Sequence, residues 1–104
     1  MMTKLISSQR HINDEIVAEK RETKDFGVSV SPVFELFGEQ VQLVMDGHHS
    51  WEAARLDGVE PMIAELTVQD SDNIALLLAG NIEGFLLATY IDSDLYDIRT
   101  GRDL

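Results

Sequence analysis

Val41-Gln42-Leu43-Val44-Met45-Asp46-Gly47-His48-His49-Ser50-Trp51-Glu52-Ala53-Ala54 is the stretch around which the chain is organised. Val41 to Met45 is an apolar-rich run of strand length and type, and Asp46-Gly47 is a turn dipeptide that ends it. Trp51, Ala54 and Arg55, with Ala53 and Leu56 beside them, recur at helical spacing, and Gly58 followed by Pro61 supplies the stop. The pattern is strand, glycine turn, helix. It aims the unpaired backbone N–H groups of the first helical turn, near His48 to Ser50, at one point, with the positive end of the helix dipole behind them. A phosphate or carboxylate suits such a point.

Upstream, Leu5 and Ile6 suggest a short strand. Asn13 reads as a helix N-cap, with Asp14 and Glu15 in the first turn and Lys20, Arg21 and Lys24 at the far end. Ile12, Ile16, Val17 and Phe26 give that helix a thin apolar stripe, suited to covering a sheet edge, and Gly27 is expected to close it. Val28, Val30, Val33, Phe34, Leu36 and Phe37 are strand-forming residues. Pro32 places the first of them at an edge or a break, with regular pairing from Val33. Gly38-Glu39 marks a hairpin turn between Val33–Phe37 and Gln40–Met45.

Downstream, Met62, Ala64, Leu66 and Val68 alternate as a further strand expected beside that hairpin. Ile74 to Ala79 and Ile82 to Tyr90 read as two apolar helices broken at Gly80-Asn81, and Leu95, Tyr96 and Ile98 as a short terminal strand. The expectation is one α+β domain over 1–104, a small mixed sheet with flanking helices, and the two apolar helices offer a face for a homodimer.

Charge is the unusual bulk property: 19 acidic against 8 basic residues, net −11. Up to Phe34 the signs balance, so the whole excess lies in Glu35 to Leu104, where only Arg55, Arg99 and Arg102 are positive. Duplex DNA is held through its phosphates by a basic stripe, which this chain lacks, so direct DNA binding is disfavoured. With no cysteine, disulfides, thiolate zinc sites and thiol catalysis are excluded. No run spans a bilayer, and the first eight residues lack the apolar block of a signal peptide, an expectation of a cytoplasmic location without membrane contact.

At Gly47-His48-His49-Ser50, a bound phosphate would meet the backbone amides and the Ser50 hydroxyl, with His48 or His49 adding a donor or, when protonated, a positive charge. For phosphoryl chemistry, His48 and His49 are the nearby general acid/base candidates and Asp46 a magnesium ligand or orienting carboxylate. His48 and Glu52, four apart, with Asp46 and His49 close by, also permit a divalent metal, but such helix pairs are common without one and no metal ligand is assigned. Arg55 lies too far down the helix to reach its N-terminus and pairs more naturally with Glu52 or near Asp57. Trp51 reads as the residue that packs the helix on the sheet. Asp92, Asp94 and Asp97 lack the glycine and glutamate of a calcium loop.

The run Met45 to Pro61, with its Asp-Gly-His-His, aromatic, Ala-Ala and later Gly and Pro, resembles the signature of the ParB/sulfiredoxin superfamily, also described as ParB N-terminal domain-like or ParB-like nuclease. The resemblance covers about residues 28 to 68. It implies that Gly47, His48, His49 and Ser50 grip the phosphates of a nucleotide, ATP or CTP with Mg²⁺, and that Trp51 is a candidate for stacking on its base. It also implies phosphoryl transfer, NTP hydrolysis or nuclease-like chemistry, in genome maintenance or on a mobile element. Ser50 stands where the family usually has a phosphate-contacting Arg, and His48 where its ParB form has an acidic residue and its sulfiredoxin form a cysteine. That departure and the acidic surface support an alternative: a degenerate interaction module, or a DNA-mimicking inhibitor, that docks on a basic protein.

Overall fold

The computed structural model describes residues 3–104. The chain runs β1 (Lys4–Ser7), α1 (Asp14–Thr23), β2 (Gly27–Val30), β3 (Phe34–Leu36), β4 (Glu39–Asp46), α2 (His48–Asp57), β5 (Met62–Glu65), α3 (Asn73–Leu78), α4 (Ile82–Thr89) and β6 (Tyr96–Asp97). It is a compact α+β domain with one mixed six-stranded sheet and four helices among the described residues.

Strand β4 is the spine. The sheet order is β5-β2-β4-β1-β6, with β3 also on β4. The first half of β4 pairs in parallel with β1 and antiparallel with β3, so that Val41 faces both Lys4 and Phe34. Its second half pairs antiparallel with β2 through Val44↔Val30 and Asp46↔Ser29, across a register shift at Ser29/Val30. Ser31 extends the ladder: its N–H donates to the Leu43 carbonyl at 2.8 Å, and its hydroxyl accepts the Leu43 N–H at 2.9 Å.

Alternation along the strands divides the core. Ile6, Phe34, Val41 and Leu43 point to one face, where α3 and α4 cover them with Ile74, Leu77 and Phe85. The Phe34 and Phe85 rings meet edge to face at 5.8 Å. Leu5, Val28, Val30 and Val44 point to the other face, against the half-buried Trp51 of α2 and Ile98. Trp51 thus packs α2 on the sheet as its isolation on an otherwise polar helix start suggests.

Several sequence expectations need correction. Helix α1 ends at Lys24, whose φ of 57° forms the left-handed cap, while Gly27 opens β2. Asn13 does cap α1, its side chain accepting from Glu15 and Ile16 N–H. The thin stripe of α1 packs mainly on α2 instead of a sheet edge, with Val17 its buried residue. Strand β2 is internal, between β5 and β4; Pro32 falls in the break before β3 and does not mark an edge. The hairpin turn is Phe37-Gly38, one residue early, because both take positive φ, the handedness a two-residue hairpin requires. Strand β5 lies parallel to β2, away from the β3–β4 hairpin, and ends at Glu65.

Gly47 fixes where β4 must end. At its φ of 94°, a Cβ would sit 2.4 Å from the Gly27 carbonyl oxygen and 2.9 Å from the Val28 Cα. Gly47→Val, the simplest block of an anion seat, therefore disturbs the backbone of β2 as well. Gly58 caps α2 at φ 66° with open space around it. In urea unfolding, Gly47→Ala is expected to cost roughly 3 kcal/mol or more and Gly58→Ala about 1 kcal/mol. Equal losses would mean that the close approach to β2 does not matter.

Candidate functional site

Three consecutive residues at the start of α2 each engage a different element. The Gly47 backbone lies against β2. The Nε2 of His48 meets the Ser7 hydroxyl of β1 at 2.5 Å, both groups buried. The Nε2 of His49 accepts the Asn13 N–H, at the start of α1, at 3.1 Å.

The partner of His49 assigns its tautomer, since Nε2 is the acceptor for the Asn13 N–H. Ser7 Oγ accepts the Gln9 N–H at 2.9 Å and stands 3.5 Å from the Gln9 carbonyl oxygen, so toward His48 Nε2 the hydroxyl can serve as donor or acceptor. Among the described residues no side-chain nitrogen or oxygen is both buried and unpartnered, and His48 Nδ1 has no protein partner, so it reaches solvent. Burial pushes the His48 imidazole down to about 4, with Asp46 opposing the shift and His49 adding to it. His48 is therefore neutral near pH 7. The expectation that it contributes positive charge to an anion gives way to a neutral imidazole.

Ser7 and His48 have the separation of a nucleophile and its base, but Ser7 is 0% exposed, so no substrate atom reaches it. The pair is structural.

Helix α2 has no side-chain cap. Trp51 N–H is the first to bond back, to Gly47 O at 2.8 Å, and the N–H groups of His48, His49 and Ser50 have no acceptor among the described residues. The Gly47 N–H is taken by Asp46 Oδ1 at 2.8 Å. Asp46, Gly47, His48, His49 and Ser50 line one pocket of about 640 Å³. Trp51 lies outside it, on a different recess.

The pocket also holds residues that sequence reasoning missed. Ile16 and Lys20, four apart on α1, line it together with Asp25 and Gly27. Lys20 Nζ stands 3.0 Å from Asp25 Oδ2. The Asp25 carboxyl lies below the ordinary carboxylate value, held there chiefly by Lys20 and the Gly27 N–H, with the Ser50 hydroxyl contributing; Lys20 is raised by the same pairing. The i,i+4 spacing of Ile16 and Lys20 was the available signal, usable only once α1 is known to pack on α2.

Elsewhere Arg55 bonds Glu52 through both Nε and a terminal nitrogen, and Asp57 pairs with Arg21 at 2.6 Å. His11 is exposed and lines none of these recesses. Asp92 receives the N–H groups of Arg10 and His11 and so ties the segment after β1 to the C-terminal part of the chain, while Asp97 receives those of Arg99 and Thr100 and caps its own turn. No three His, Asp or Glu side chains among the described residues converge as metal ligands, and His48 with Glu52 does not form the nucleus of such a group. No helix among the described residues is long and apolar enough to cross a membrane.

No protein-family model, curated protein or solved structure matches this chain. What the chain binds must be argued from the pocket.

The burial of His48 has a measurable consequence. Its folded value of about 4 lies below the ordinary 6.5, so from pH 6.5 downward the unfolded chain takes up a proton that the folded chain refuses. Stability is full above pH 6.5 and falls as the pH drops, by about 2 kcal/mol between pH 6.5 and 5 from this group. Urea unfolding across this range should show that slope in the wild type and its absence in His48→Gln, which still offers Ser7 an acceptor. Parallel profiles would assign the acid sensitivity to other groups.

Proposed function

We propose that the pocket at the start of α2 binds a nucleotide or another phosphorylated ligand as its magnesium complex, the reading also implied by the resemblance to the ParB/sulfiredoxin superfamily. The observation that supports it most is the donor set: three unpartnered amides and the Nδ1–H of His49, all uncharged, at the positive end of a helix. Neutral donors recognise a phosphate without needing protonated histidine.

The carboxylates explain the metal. Lys20 is offset by Asp25, which leaves Asp46 as the uncompensated charge of the pocket. A bare anion is opposed by Asp46, whereas Mg²⁺ on the phosphates turns that carboxylate into a favourable partner, since magnesium is commonly held by one or two carboxylates plus phosphate oxygens. Both histidines have Nε2 engaged by the fold, so the reading is binding first. Hydrolysis or phosphoryl transfer here would draw on Asp46 and the metal, with His49 as a hydrogen-bond donor.

Magnesium ATP or CTP should raise the melting temperature in a saturable way, because a ligand of the folded state stabilises it. Lys20→Glu, which adds negative charge at the pocket without touching the α2 turn, should weaken the shift at least tenfold in ligand concentration. Omission of Mg²⁺ should do the same. A wild-type melting temperature indifferent to every nucleotide and metal combination rejects this reading.

A second observation favours the interaction-module alternative. Phe37, 79% exposed and held at positive φ, stands with Leu86, Leu87, Tyr90 and Leu95 on an apolar groove of about 640 Å³ that also carries Glu83, Asp94 and Asp103. An apolar floor with an acidic rim suits an amphipathic helix with a basic flank. The charge of −11 on each copy opposes pairing of two copies through it. A lysine-rich amphipathic peptide should bind with an affinity that falls with salt and is lost in Phe37→Asp. Salt-independent binding, or retention in Phe37→Asp, would exclude this groove.

A further inference from the structure

The positive charge that this chain carries after Phe34 is confined to Arg55, Arg99 and Arg102, and the fold gathers two of these with Arg10. Arg10 arrives from the segment after β1, Arg55 from the last turn of α2, and Arg99 from the turn after β6. They line a recess of about 290 Å³ with Trp51, Tyr96 and Glu52. Three guanidinium groups against two carboxylates, Glu52 on Arg55 and Asp103 on Arg10, leave one positive charge over, in a chain of net charge −11.

The recess is held in place by the fold. Ile98 N–H donates to Leu5 O at 3.0 Å, tying the turn to β1. Asp97 closes the turn, its side chain accepting the Arg99 N–H at 2.9 Å and its carbonyl the Gly101 N–H at 2.7 Å. Arg10 lies over the Tyr96 ring at 3.9 Å, with one terminal nitrogen donating to Gly101 O and Asp103. Arg55 is occupied by Glu52 alone, in an ion pair with a largely exposed arginine, a kind of pair that contributes little. The Arg99 guanidinium makes no hydrogen bond or ion pair among the described residues and stands 5.8 Å from the Trp51 ring. Each guanidinium has five N–H donors and none can lose its charge near neutrality, so most of the donor capacity around the recess is unused.

We propose that this recess is a second anion site, adjoining the pocket at the α2 turn and sharing His48 with its lining, that takes the terminal phosphate of a phosphate monoester or inorganic phosphate. Arginines reaching in from three separate segments suit a tetrahedral dianion, whose three terminal oxygens accept from more than one guanidinium fork. Glu52 and Asp103 leave the site one charge positive, carried by Arg99 beside the Trp51 ring, so an anion drawn to Arg99 lies next to the indole.

The test uses the single tryptophan. Trp51 emission is followed while the folded chain is titrated with inorganic phosphate or with AMP, at constant ionic strength in chloride, with EDTA present so that no magnesium complex forms. A saturable change is expected. Arg99→Gln should raise the apparent Kd at least tenfold with an unchanged melting temperature, because that side chain makes no bond. Arg102→Gln, the same change of charge outside the recess, should leave the Kd unaltered. Tighter binding of AMP than of phosphate assigns a nucleotide, and equal binding assigns phosphate itself; both support the site. A change that follows ionic strength without saturating, or an equal effect of the two arginine variants, overturns it. Because metal is absent, failure here leaves the magnesium-dependent reading of the other pocket standing, and the converse also holds.

Discussion

The close approach of Gly47 to the backbone of Gly27 and Val28 is the constraint from which the rest of the arrangement follows. Strand β4 is paired along its length by β1, β3 and β2, so the chain has to leave the sheet abruptly at its end. A residue with a side chain does not fit at that corner. Once the corner is made, α2 lies over Val28, Val30 and Val44, and Ala53 and Ala54, both 0% exposed, let neighbouring elements approach it closely. His48 and His49 then tie the same corner to β1 and α1. The helix start is positioned from three sides, which gives its free amides a defined direction, the preorganisation that a binding site needs.

The cost of this arrangement falls on the histidines as chemical groups. An imidazole whose Nε2 serves the fold retains only one free nitrogen, and in His49 that nitrogen carries the proton. His49 is well suited to donating hydrogen bonds and poorly suited to abstracting protons. Structural and functional use of the turn are therefore compatible for recognition and in tension for catalysis. That tension weighs against carrying over a reaction from a resemblance of sequence.

Much of the secondary structure was legible because it is local. The Asn13 cap, the Asp46-Gly47 turn, the Gly58 stop and the break at Gly80-Asn81 are each encoded within a few residues, and each appears where the sequence places it. The pairing was less legible. Strand β5 is exposed throughout its four residues, so its alternation holds no information about which strand it joins. Pro32 does mark a break, between β2 and β3, but regular pairing already begins at Gly27, and nothing near Pro32 tells that β2 lies inside the sheet. Side-chain direction was the least legible: nothing within three residues of His48 announces that its ring turns toward Ser7, 41 positions earlier. For the same reason Lys20 and Asp25 were invisible as pocket residues, since their place there depends on how α1 lies against α2.

Net charge and local charge lead to different conclusions in this protein. At physiological ionic strength a charge is felt over about 8 Å, so a ligand inside a recess responds to the few groups around it and only weakly to the chain as a whole. The acidic surface slows the approach of any anion, yet it does not set the potential within the recess of Arg10, Arg55 and Arg99. At the α2 turn the balance is reversed, with Lys20 offset by Asp25, Asp46 left over, and attraction supplied by dipoles alone. On the two proposed readings a phosphate would meet two different demands on one molecule: a metal ion to enter the first pocket, and none to enter the second. Magnesium dependence, more than affinity, is then the property by which binding at the two would be told apart.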